Sequence, residues 1–508
     1  MSKNNKLLDL KGLKKIRKKF LKRKIVLCHG VFDLLHVGHI NYFKSSKKYG
    51  DILVVSVTAD KFVNKGPGRP AFSLNNRLKF LQEIECVDYV YESNDLTSEK
   101  VIKNLKPNFY CKGNDYSKVK AKNDLNLKKE LKILKRINGK FIVIKEVSFS
   151  SSKYINDNSL QDFNQDCKDY VNTIRKNYNL GDITEKLDEL KKKRVLVIGE
   201  IIIDKYISTE TVGKSGKEPM LVVKPLNEIK SLGGAGYIAN LCSSFVKDIK
   251  IISFLGKENS EKNFILKNLN KNIKHNFLFK NNSPTISKLR YLDDYKKTKI
   301  IGVYDLNDDL ISKKEEKIFY NLLKKNISNY DLIVVADYGH GIITKKIRDL
   351  ILRNSDKVFL NTQINSFNRG YHTVLKYKKM NTLVINEGEL RYELRDKHSK
   401  IQNLVKNLSK KISTKKIIVT SGIRGATLIN CKKNSATYCP AFNHNPIDIV
   451  GAGDTFFSMC ALSIGIKIDN KIAMLLASIS ASFAINQLGK KAFFNNKNLK
   501  KHLTHIFQ

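Results

Sequence analysis

The stretch DIVGAGDT, residues 448–455, decides the fold of the C-terminal half of the chain. An apolar segment with a helical pattern follows it, over residues 456–464. Backbone N–H groups at a helix start bind anions, so small residues there indicate an anion hole for a transferring phosphate. Asp454 can accept the proton of an attacking hydroxyl and is the predicted catalytic base. The predicted phosphate-binding residues are Gly451, Ala452 and Gly453.

Further polar residues stand at the ends of apolar segments earlier in this half. Residues 194–203 have the apolar pattern of one strand that ends at Asp204. The run GGAG, residues 233–236, follows an extended stretch and precedes a helical pattern over residues 238–245. Polar residues at strand ends are typical of α/β sites, because ligands bind beyond the carboxyl ends of parallel strands.

Residues 194–495 resemble the ribokinase-like (PfkB) carbohydrate kinases, with DIVGAGDT at the place of their DTxGAGD signature. DYGHG at 337–341 matches their DYGKG loop, NEGE at 386–389 their NxxE element, and TSGIRG at 420–425 a TxGxxG-like turn. The resemblance implies a ribokinase-like α/β/α domain that uses ATP. It assigns Mg²⁺ to Asn386 and Glu389, and the nucleotide to Thr420, Gly422 and Gly425.

Two stretches are similar to heptose 7-phosphate kinases in particular. Residues 217–223 resemble a PEAPVPVV stretch, and PTISKLR at 284–290 resembles PTxxKxR. Position 237 is Tyr where the family's GGAxNxA run has Asn. The amide-rich stretch NTQINSFNRG at 361–370 fits a sugar-binding segment and an ordinary loop equally well. The predicted substrate-binding residues are Asp204, Gly233, Gly234, Lys288 and Arg290.

The N-terminal half opens with a βαβ pattern, two apolar strands with a helical segment between them, within residues 24–57. His36 and His39 stand three residues apart at the start of that helix, so their rings lie on one face. There they can donate hydrogen bonds to phosphate oxygens. Gly38 between them leaves room for a nucleotide.

HGVFDLLHVGHINYF, residues 29–43, resembles the HxGH nucleotidyltransferases of the cytidylyltransferase-like branch, and the likeness covers roughly residues 24–156. KGNDY at 112–116 resembles their KGxDY loop, and SSS at 150–152 their closing ISSTxI turn. The resemblance implies a Rossmann-like domain in which a sugar or polyol phosphate attacks the α-phosphorus of a nucleoside triphosphate, with Mg²⁺ offsetting charge. It assigns catalysis to His36, His39 and Lys47, and phosphate binding to Gly30, Phe32, Asp33, Gly38, Lys112, Gly113, Asp115, Ser150, Ser151 and Ser152.

Length and composition fit two α/β domains. A chain of 508 residues exceeds one hydrophobic core, and we expect domains at 1–156 and 194–508 joined by a polar helical linker at 157–193. No apolar run approaches the ~20 residues that span a bilayer, and the basic start lacks a signal-peptide core, so a cytoplasmic location is expected. The net charge of +45 is spread evenly and favours anionic substrates over nucleic acid.

The pairing is similar to the bifunctional heptose 7-phosphate kinase/heptose 1-phosphate adenylyltransferases, with the domain order reversed. The leading hypothesis is therefore a bifunctional enzyme of nucleotide-sugar synthesis that uses ATP in both sites and a heptose-like phosphate. A second hypothesis makes the N-terminal domain a CTP-dependent cytidylyltransferase for a polyol or other sugar phosphate, fused to a kinase of a different sugar. A third is a noncatalytic basic binding or regulatory protein. A homodimer is compatible with each.

Overall fold

The protein consists of two compact units, unit 1 within residues 1–162 and unit 2 within residues 163–507. Within the part of the chain that the structure describes, no helix is both long and apolar enough to cross a membrane. The computed structural model describes residues 6–63, 70–95, 97–113, 125–144, 164–296, 298–443, 446–486 and 494–507.

Unit 1 is a parallel sheet with helices on both faces. Its strands are β1 (Leu7–Leu8), β2 (Ile25–Gly30), β3 (Ile52–Thr58), β4 (Tyr89–Ser93), β5 (Phe109–Gly113) and β6 (Lys140–Ile144). Its helices are α1 (Leu10–Lys19), α2 (Val37–Lys47), α3 (Leu74–Gln82), α4 (Glu99–Leu105) and α5 (Leu125–Arg136). The strand order is β1-β4-β3-β2-β5-β6.

The apolar run of β2 is explained by burial on both faces of the sheet. Ile25 and Leu27 belong to one hydrophobic core, and Val26 and Cys28 to the other. The chain proceeds outward from β2 through β3 to β4 and then returns to pair β5 with the other side of β2. In open α/β sheets ligands bind at such a reversal of strand order, which here lies at the carboxyl ends of β2 and β5.

Unit 2 contains thirteen of the strands in the described residues and eleven of the helices. The strands are β7 (Arg194–Gly199), β8 (Ile201–Lys214), β9 (Leu221–Gly233), β10 (Asp248–Gly256), β11 (Ile273–Lys280), β12 (Ser287–Asp293), β13 (Lys299–Asp305), β14 (Leu332–Asp337), β15 (Val358–Thr362), β16 (Lys379–Asn386), β17 (Ser413–Thr420), β18 (Ala426–Asn430) and β19 (Ser435–Cys439). The helices are α6 (Gln165–Asn177), α7 (Leu180–Asp188), α8 (Gly234–Ser243), α9 (Lys262–Asn268), α10 (Lys313–Asn326), α11 (Lys345–Leu352), α12 (Glu387–Leu394), α13 (Ile401–Ser409), α14 (Ala452–Gly465), α15 (Asn470–Ala484) and α16 (Asn496–Phe507).

These strands form two sheets. The large sheet has the order β11-β10-β7-β14-β15-β16-β17-β18-β19, and it is parallel from β11 to β17. β18 and β19 extend it in antiparallel fashion. The small sheet has the order β13-β12-β8-β9. Two hydrophobic cores cover the two faces of the large sheet, with Val195 and Val197 in one and Leu196 and Ile198 in the other.

The single strand predicted over residues 194–203 is two strands in two sheets. β7 ends at Gly199 in the large sheet, and β8 begins at Ile201 in the small sheet. Glu200 lies at the junction, 1% exposed. A run of apolar residues does not reveal to which sheet each part belongs, so the pattern could not separate them.

The predicted linker also differs from the structure. Its expected pair of short helices is present as α6 and α7, yet both belong to unit 2. Tyr170 donates a hydrogen bond to the carbonyl of Lys471 at 2.8 Å, and Tyr178 to Asp469 at 2.7 Å. The helices contribute five buried side chains to the core of unit 2, and Leu190, in the turn just after α7, is buried with them. The five are Cys167, Val171, Ile174, Ile183 and Leu187.

Candidate active sites

In unit 2 the predicted substrate-binding residues Asp204 and Arg290 form a buried ion pair. Adjacent strands β8 and β12 carry them, and Arg290 Nη1 lies 2.9 Å from Asp204 Oδ1. The Arg290 side chain is 11% exposed and the Asp204 side chain 5%. Burial alone would lower the pKa of Arg290, but the Asp204 carboxylate outweighs it and raises that pKa. Arg290 is therefore charged at neutral pH, and the pair presents fixed polar groups to a ligand.

Gly233 and Lys288, which are also predicted to bind the substrate, lie next to this ion pair. The four residues Asp204, Gly233, Lys288 and Arg290 are called the substrate side below. A Cβ at Gly233 would lie 2.3 Å from Asp204 Oδ2, so only glycine leaves that carboxylate in place. Lys288 lies opposite Asp204 in the β8–β12 register and stands over the ring of Tyr304 at 5.6 Å. Burial lowers the pKa of Lys288, while the carboxylates of Asp204 and Asp454 act in the other direction. Gly234, also predicted, is the first residue of α8.

The predicted base Asp454 lies in the first turn of α14, whose N-cap is Gly451. Tyr338 donates a hydrogen bond from its hydroxyl to Asp454 Oδ1 at 2.7 Å. Burial, and next the Asp454 carboxylate, raise the pKa of Tyr338 well above its ordinary value, so the phenol keeps its proton. The α14 start and the DYGHG loop after β14 are therefore brought together.

Sequence reasoning did not select Tyr338 or Glu200 as functional residues. Glu200 accepts hydrogen bonds from the backbone N–H groups of Tyr338 at 3.0 Å and His340 at 3.1 Å. Burial, followed by the charge of Asp337, raises the pKa of Glu200 to about 7. One signal was visible, because Glu200 is a charged residue inside an apolar run, and such residues are rarely buried without a specific partner.

The amide-rich stretch 361–370 supports the DYGHG loop. The side-chain amides of Asn365 and Asn368 both donate to the carbonyl of Tyr338, at 3.0 and 2.8 Å. Gly339 has φ +76°, and a Cβ there would lie 2.4 Å from Asn368 Nδ2. Of the two alternatives for this stretch, the structure gives a loop whose amides hold backbone groups.

The nucleotide-side residues line one cavity of ≈ 310 Å³. Its walls are largely apolar, including Ile423, Phe442 and Ile449, which suits the flat face of a nucleobase. It opens beside the start of α14, the predicted anion-binding element. The predicted residues that line it are Asn386, Thr420, Gly422, Gly425, Ala452 and Gly453.

The two predicted metal ligands, Asn386 and Glu389, lie together at the start of α12. Glu389 accepts backbone hydrogen bonds from Ile364 and Asn386, each at 3.1 Å, and forms a capping box with Asn386 at the start of α12. Burial raises the pKa of Glu389 to about 7. Its oxygens are thus engaged by N–H groups, and a cation would have to displace them. Among the described residues no cluster of three or more potential metal ligands is present.

In unit 1 the predicted histidines meet at the carboxyl end of β2. His36 is the N-cap of α2, and its Nδ1 accepts a hydrogen bond from the N–H of Gly38 at 3.0 Å. In the neutral ring the proton is therefore on Nε2, which makes that nitrogen a hydrogen-bond donor. The rings of His36 and His39 are 4.1 Å apart, centroid to centroid. Both histidines therefore stand at the start of α2, as the sequence pattern predicts.

The residues around these histidines shape their loop. Phe32 has φ 49° and lies edge-on to the ring of His39 at 5.9 Å. The carboxylate of Asp33 accepts hydrogen bonds from the N–H groups of Ala71 and Phe72 at 2.9 and 3.0 Å, so it fixes a neighbouring loop. Gly30 is the last residue of β2.

The other predicted phosphate-binding residues of unit 1 fall into two groups. Lys112 is buried near the end of β5 and donates to the carbonyl of His29 at 3.2 Å, and Gly113 follows it at the same end of the sheet. Asp115, Ser150, Ser151 and Ser152 lie outside the described residues.

Lys47 is not brought to the histidines. It ends α2, and its ammonium group pairs with Asp88 and donates to the carbonyl of Asp51 at 2.6 Å. Asp51 and Asp88 directly precede β3 and β4, at the amino ends of the strands. Helix α2 therefore carries Lys47 to the amino ends of the strands. His36 and His39 lie at the carboxyl ends, so the Lys47 ammonium group cannot join them.

Comparisons with known proteins bear on both units. A family model described as pfkB family carbohydrate kinase matches residues 192–495, and one described as cytidylyltransferase-like matches residues 27–158. The predicted fusion and the predicted fold class of both domains are thereby confirmed. The structure of phosphofructokinase-2 from Escherichia coli in complex with potassium shares the fold at 12% identity and a TM-score of 0.50, covering 62% of this chain and 100% of that one.

Several proteins of similar sequence share one name, bifunctional protein HldE. The bifunctional protein HldE of Aliarcobacter butzleri (strain RM4018) is 29% identical over 308 residues, which are 59% of this chain and 62% of the relative. HldE of Hahella chejuensis (strain KCTC 2396) is 43% identical over 97 residues, 19% of this chain and 20% of the relative. The chain thus spans about 62% of the length of the first relative. Because the kinase model covers more than half of the sequence, this chain belongs to the pfkB carbohydrate kinase family, and it carries a cytidylyltransferase-like domain ahead of its kinase domain.

Proposed function

We propose that the chain is a bifunctional enzyme, in which unit 2 phosphorylates a sugar with ATP and unit 1 transfers a nucleotidyl group to a sugar phosphate. The observation that carries the proposal is the convergence in unit 2 of the Asp204–Arg290 pair, Lys288 and Asp454 beside the cavity at the start of α14. A carboxylate base, cationic side chains and a helix start are the groups that phosphoryl transfer requires.

In the kinase reaction a sugar hydroxyl attacks the γ-phosphorus of ATP. Asp204 and Arg290 hold the sugar, and Asp454 accepts the proton of the attacking hydroxyl as the new O–P bond forms. The backbone N–H groups at the start of α14 stabilise the charge on the transferring phosphoryl group. ADP leaves with the electrons of the broken bond, and its base occupies the apolar cavity lined by Ile423 and Phe442.

In the unit 1 reaction an oxygen of a sugar phosphate attacks the α-phosphorus of a nucleoside triphosphate and pyrophosphate leaves. The Nε2 donor of His36, together with His39 and the N–H groups at the start of α2, stabilises the charge that builds on the phosphate oxygens. Lys47 has no part in this mechanism. No covalent intermediate is needed.

The substrate of the kinase is a phosphorylated sugar of the heptose 7-phosphate type. Lys288 supports this, because it is a buried cation beside the Asp204–Arg290 pair, whose own charges compensate each other, and such a cation favours an anionic ligand over a neutral sugar. The nucleotide of unit 1 is ATP. A CTP-dependent cytidylyltransferase is the second candidate, supported by the cytidylyltransferase-like match.

Two variants of the purified full chain test the two activities against each other. Asp454→Asn removes the base, so we expect sugar-dependent ADP formation to fall roughly 10²–10⁴-fold while pyrophosphate release is unchanged. His39→Ala should reduce pyrophosphate release roughly 10²–10³-fold and leave ADP formation intact. Each variant is thus the control for the other.

The substrate panel decides between the hypotheses. Pyrophosphate release with ATP and a heptose 1-phosphate supports the adenylyltransferase, and release with CTP alone supports the cytidylyltransferase. If neither ADP nor pyrophosphate forms with any sugar phosphate, but the chain binds nucleic acid in a salt-sensitive manner, the enzyme proposal is wrong and the basic binding protein is favoured.

A further inference from the structure

Tyr338 connects three parts of unit 2 at the kinase site. Its hydroxyl donates to Asp454 Oδ1 at 2.7 Å, its N–H to Glu200 at 3.0 Å, and its carbonyl accepts from the amide side chains of Asn365 and Asn368. The residue is 2% exposed. Backbone and side chain are thus both restrained, and the phenol is aimed at one carboxylate oxygen.

The restraint on this backbone comes from a dense network rather than from one contact. Asp337 accepts hydrogen bonds from Tyr377 at 2.6 Å and from the N–H of Gly339 at 3.1 Å, and it pairs with Lys376 at 2.7 Å. These bonds fix the residues on either side of Tyr338. A single aromatic ring can be buried by apolar contacts alone, so it does not need this many buried hydrogen bonds around it.

We propose that Tyr338 is a positioning residue for phosphoryl transfer: its hydrogen bond sets the orientation of the Asp454 carboxylate and favours the ionised form that accepts the proton. This inference rests on the kinase function proposed above. A hydrogen bond to the charged form of a carboxylate stabilises that form, so Tyr338 keeps the base competent at lower pH. The other charged groups that act at this place are Lys288 on β12, Asp204 on β8 and Glu200 before β8.

The test is the pH profile of kcat for sugar phosphorylation by the full chain, in wild type and Tyr338→Phe. Without the hydroxyl we expect kcat to fall roughly 10–100-fold, the worth of one hydrogen bond to a charged group, with KM for ATP and sugar unchanged. The acid limb of the profile should move to higher pH. A residue that only fills space would shift neither the limb nor the balance between kcat and KM.

Tyr110→Phe is the matched control. Tyr110 is also fully buried and donates to a carboxylate, that of Glu130 at 2.9 Å, but it lies in unit 1. Its loss should leave the kinase profile as in wild type. Replacing Tyr338 by 3-fluorotyrosine keeps the side chain nearly the same size and strengthens the donor, so the acid limb should move to lower pH even where the phenylalanine variant folds poorly.

The outcomes separate the two proposals. If wild type shows no sugar-dependent turnover, the kinase function is wrong and this inference falls with it. If wild type turns over but the acid limb stays in place in both Tyr338 variants, only the role of Tyr338 is refuted. Opposite shifts of the limb in the two variants are the result that supports it.

Discussion

At the scale of single residues, the close approach of Gly233 to Asp204 leaves no room for a larger side chain at position 233. Gly233 has φ −123° and ψ 179°, a backbone that any residue adopts, so the demand for glycine comes from space alone. A methyl group there would lie 2.3 Å from Asp204 Oδ2 and would displace the carboxylate. The ion pair with Arg290 would then lose its geometry.

We therefore expect Gly233→Ala to reduce kcat/KM for the sugar by about 10–100-fold, as displacements of about 1 Å at a reacting group do. The measurement is the steady-state rate of ADP formation at varied sugar concentration. Gly216→Ala is the control, since a Cβ there meets nothing within 4 Å. Equal rates for both variants and wild type would show that Asp204 does not contact the sugar.

The placement of His36, His39 and Asp454 at helix starts was predictable from their motifs, and the structure shows it. The environment of Lys47 was not predictable, because the motif gives the position in the sequence but not the end of the sheet to which α2 carries it. For Glu389 the role of metal ligand stays a prediction. A carboxylate three residues after Asn386 fits a metal ligand and a capping box equally well in sequence, and backbone N–H groups took it.

At the scale of elements, the capping box of α12 ties that helix to the segment after β15. Glu389 accepts from the N–H of Ile364 as well as from that of Asn386. Burial raises the pKa of Glu389 to about 7 in the folded protein, whereas the ordinary pKa of this side chain is 4.5. The folded state therefore holds a proton that the unfolded chain releases. Between these pH values the unfolded chain binds fewer protons, so this carboxyl's contribution to stability falls as pH rises.

Glu389→Gln removes this titration while keeping an oxygen acceptor. We expect the free energy of unfolding of wild type, relative to the variant, to decrease between pH 4.5 and about 7, by at most about 1.4 kcal/mol per pH unit. Urea unfolding of the full chain at several pH values measures it. Glu200 titrates in both proteins and cancels in the difference. A difference that does not vary with pH would contradict the raised pKa.

Strands and helices were predictable as local patterns, but their partners were not. The apolar run over 194–203 correctly indicates extended chain, yet hydrogen bonding to β14 on one part and to β12 on the other divides it at Glu200. The amides of residues 361–370 were ambiguous because their acceptor, the carbonyl of Tyr338, is distant in sequence. Long-range pairing of this kind leaves no local signal.

At the scale of the whole molecule, α6 and α7 belong to the core of unit 2 although their sequence is mostly polar. Most of their residues lie on the polar face, and the apolar face is narrow. A sequence of this kind therefore looks like a linker. The five aliphatic side chains buried in this segment contribute about 1.5–3 kcal/mol each on burial, so together they amount to about 8–15 kcal/mol, as much as the net stability of many domains.

A fragment that starts at residue 163 should therefore fold and retain sugar-dependent ADP formation, whereas one that starts at residue 194 should not fold. Circular dichroism and thermal unfolding compare the two fragments, with the full chain as reference. Equal unfolding temperatures for both fragments would mean that α6 and α7 are dispensable, as a linker would be.

The division of the kinase site between the small sheet and the start of α14 bears on how such enzymes diversify. Asp204, Lys288 and Arg290 all stand on the small sheet, whereas Asp454 stands at the start of α14, beside the cavity proposed for ATP. Mutations in β8 and β12 can thus alter which sugar is accepted while the machinery that handles ATP is inherited unchanged. Substrate preference and chemistry can evolve at separate rates in one domain.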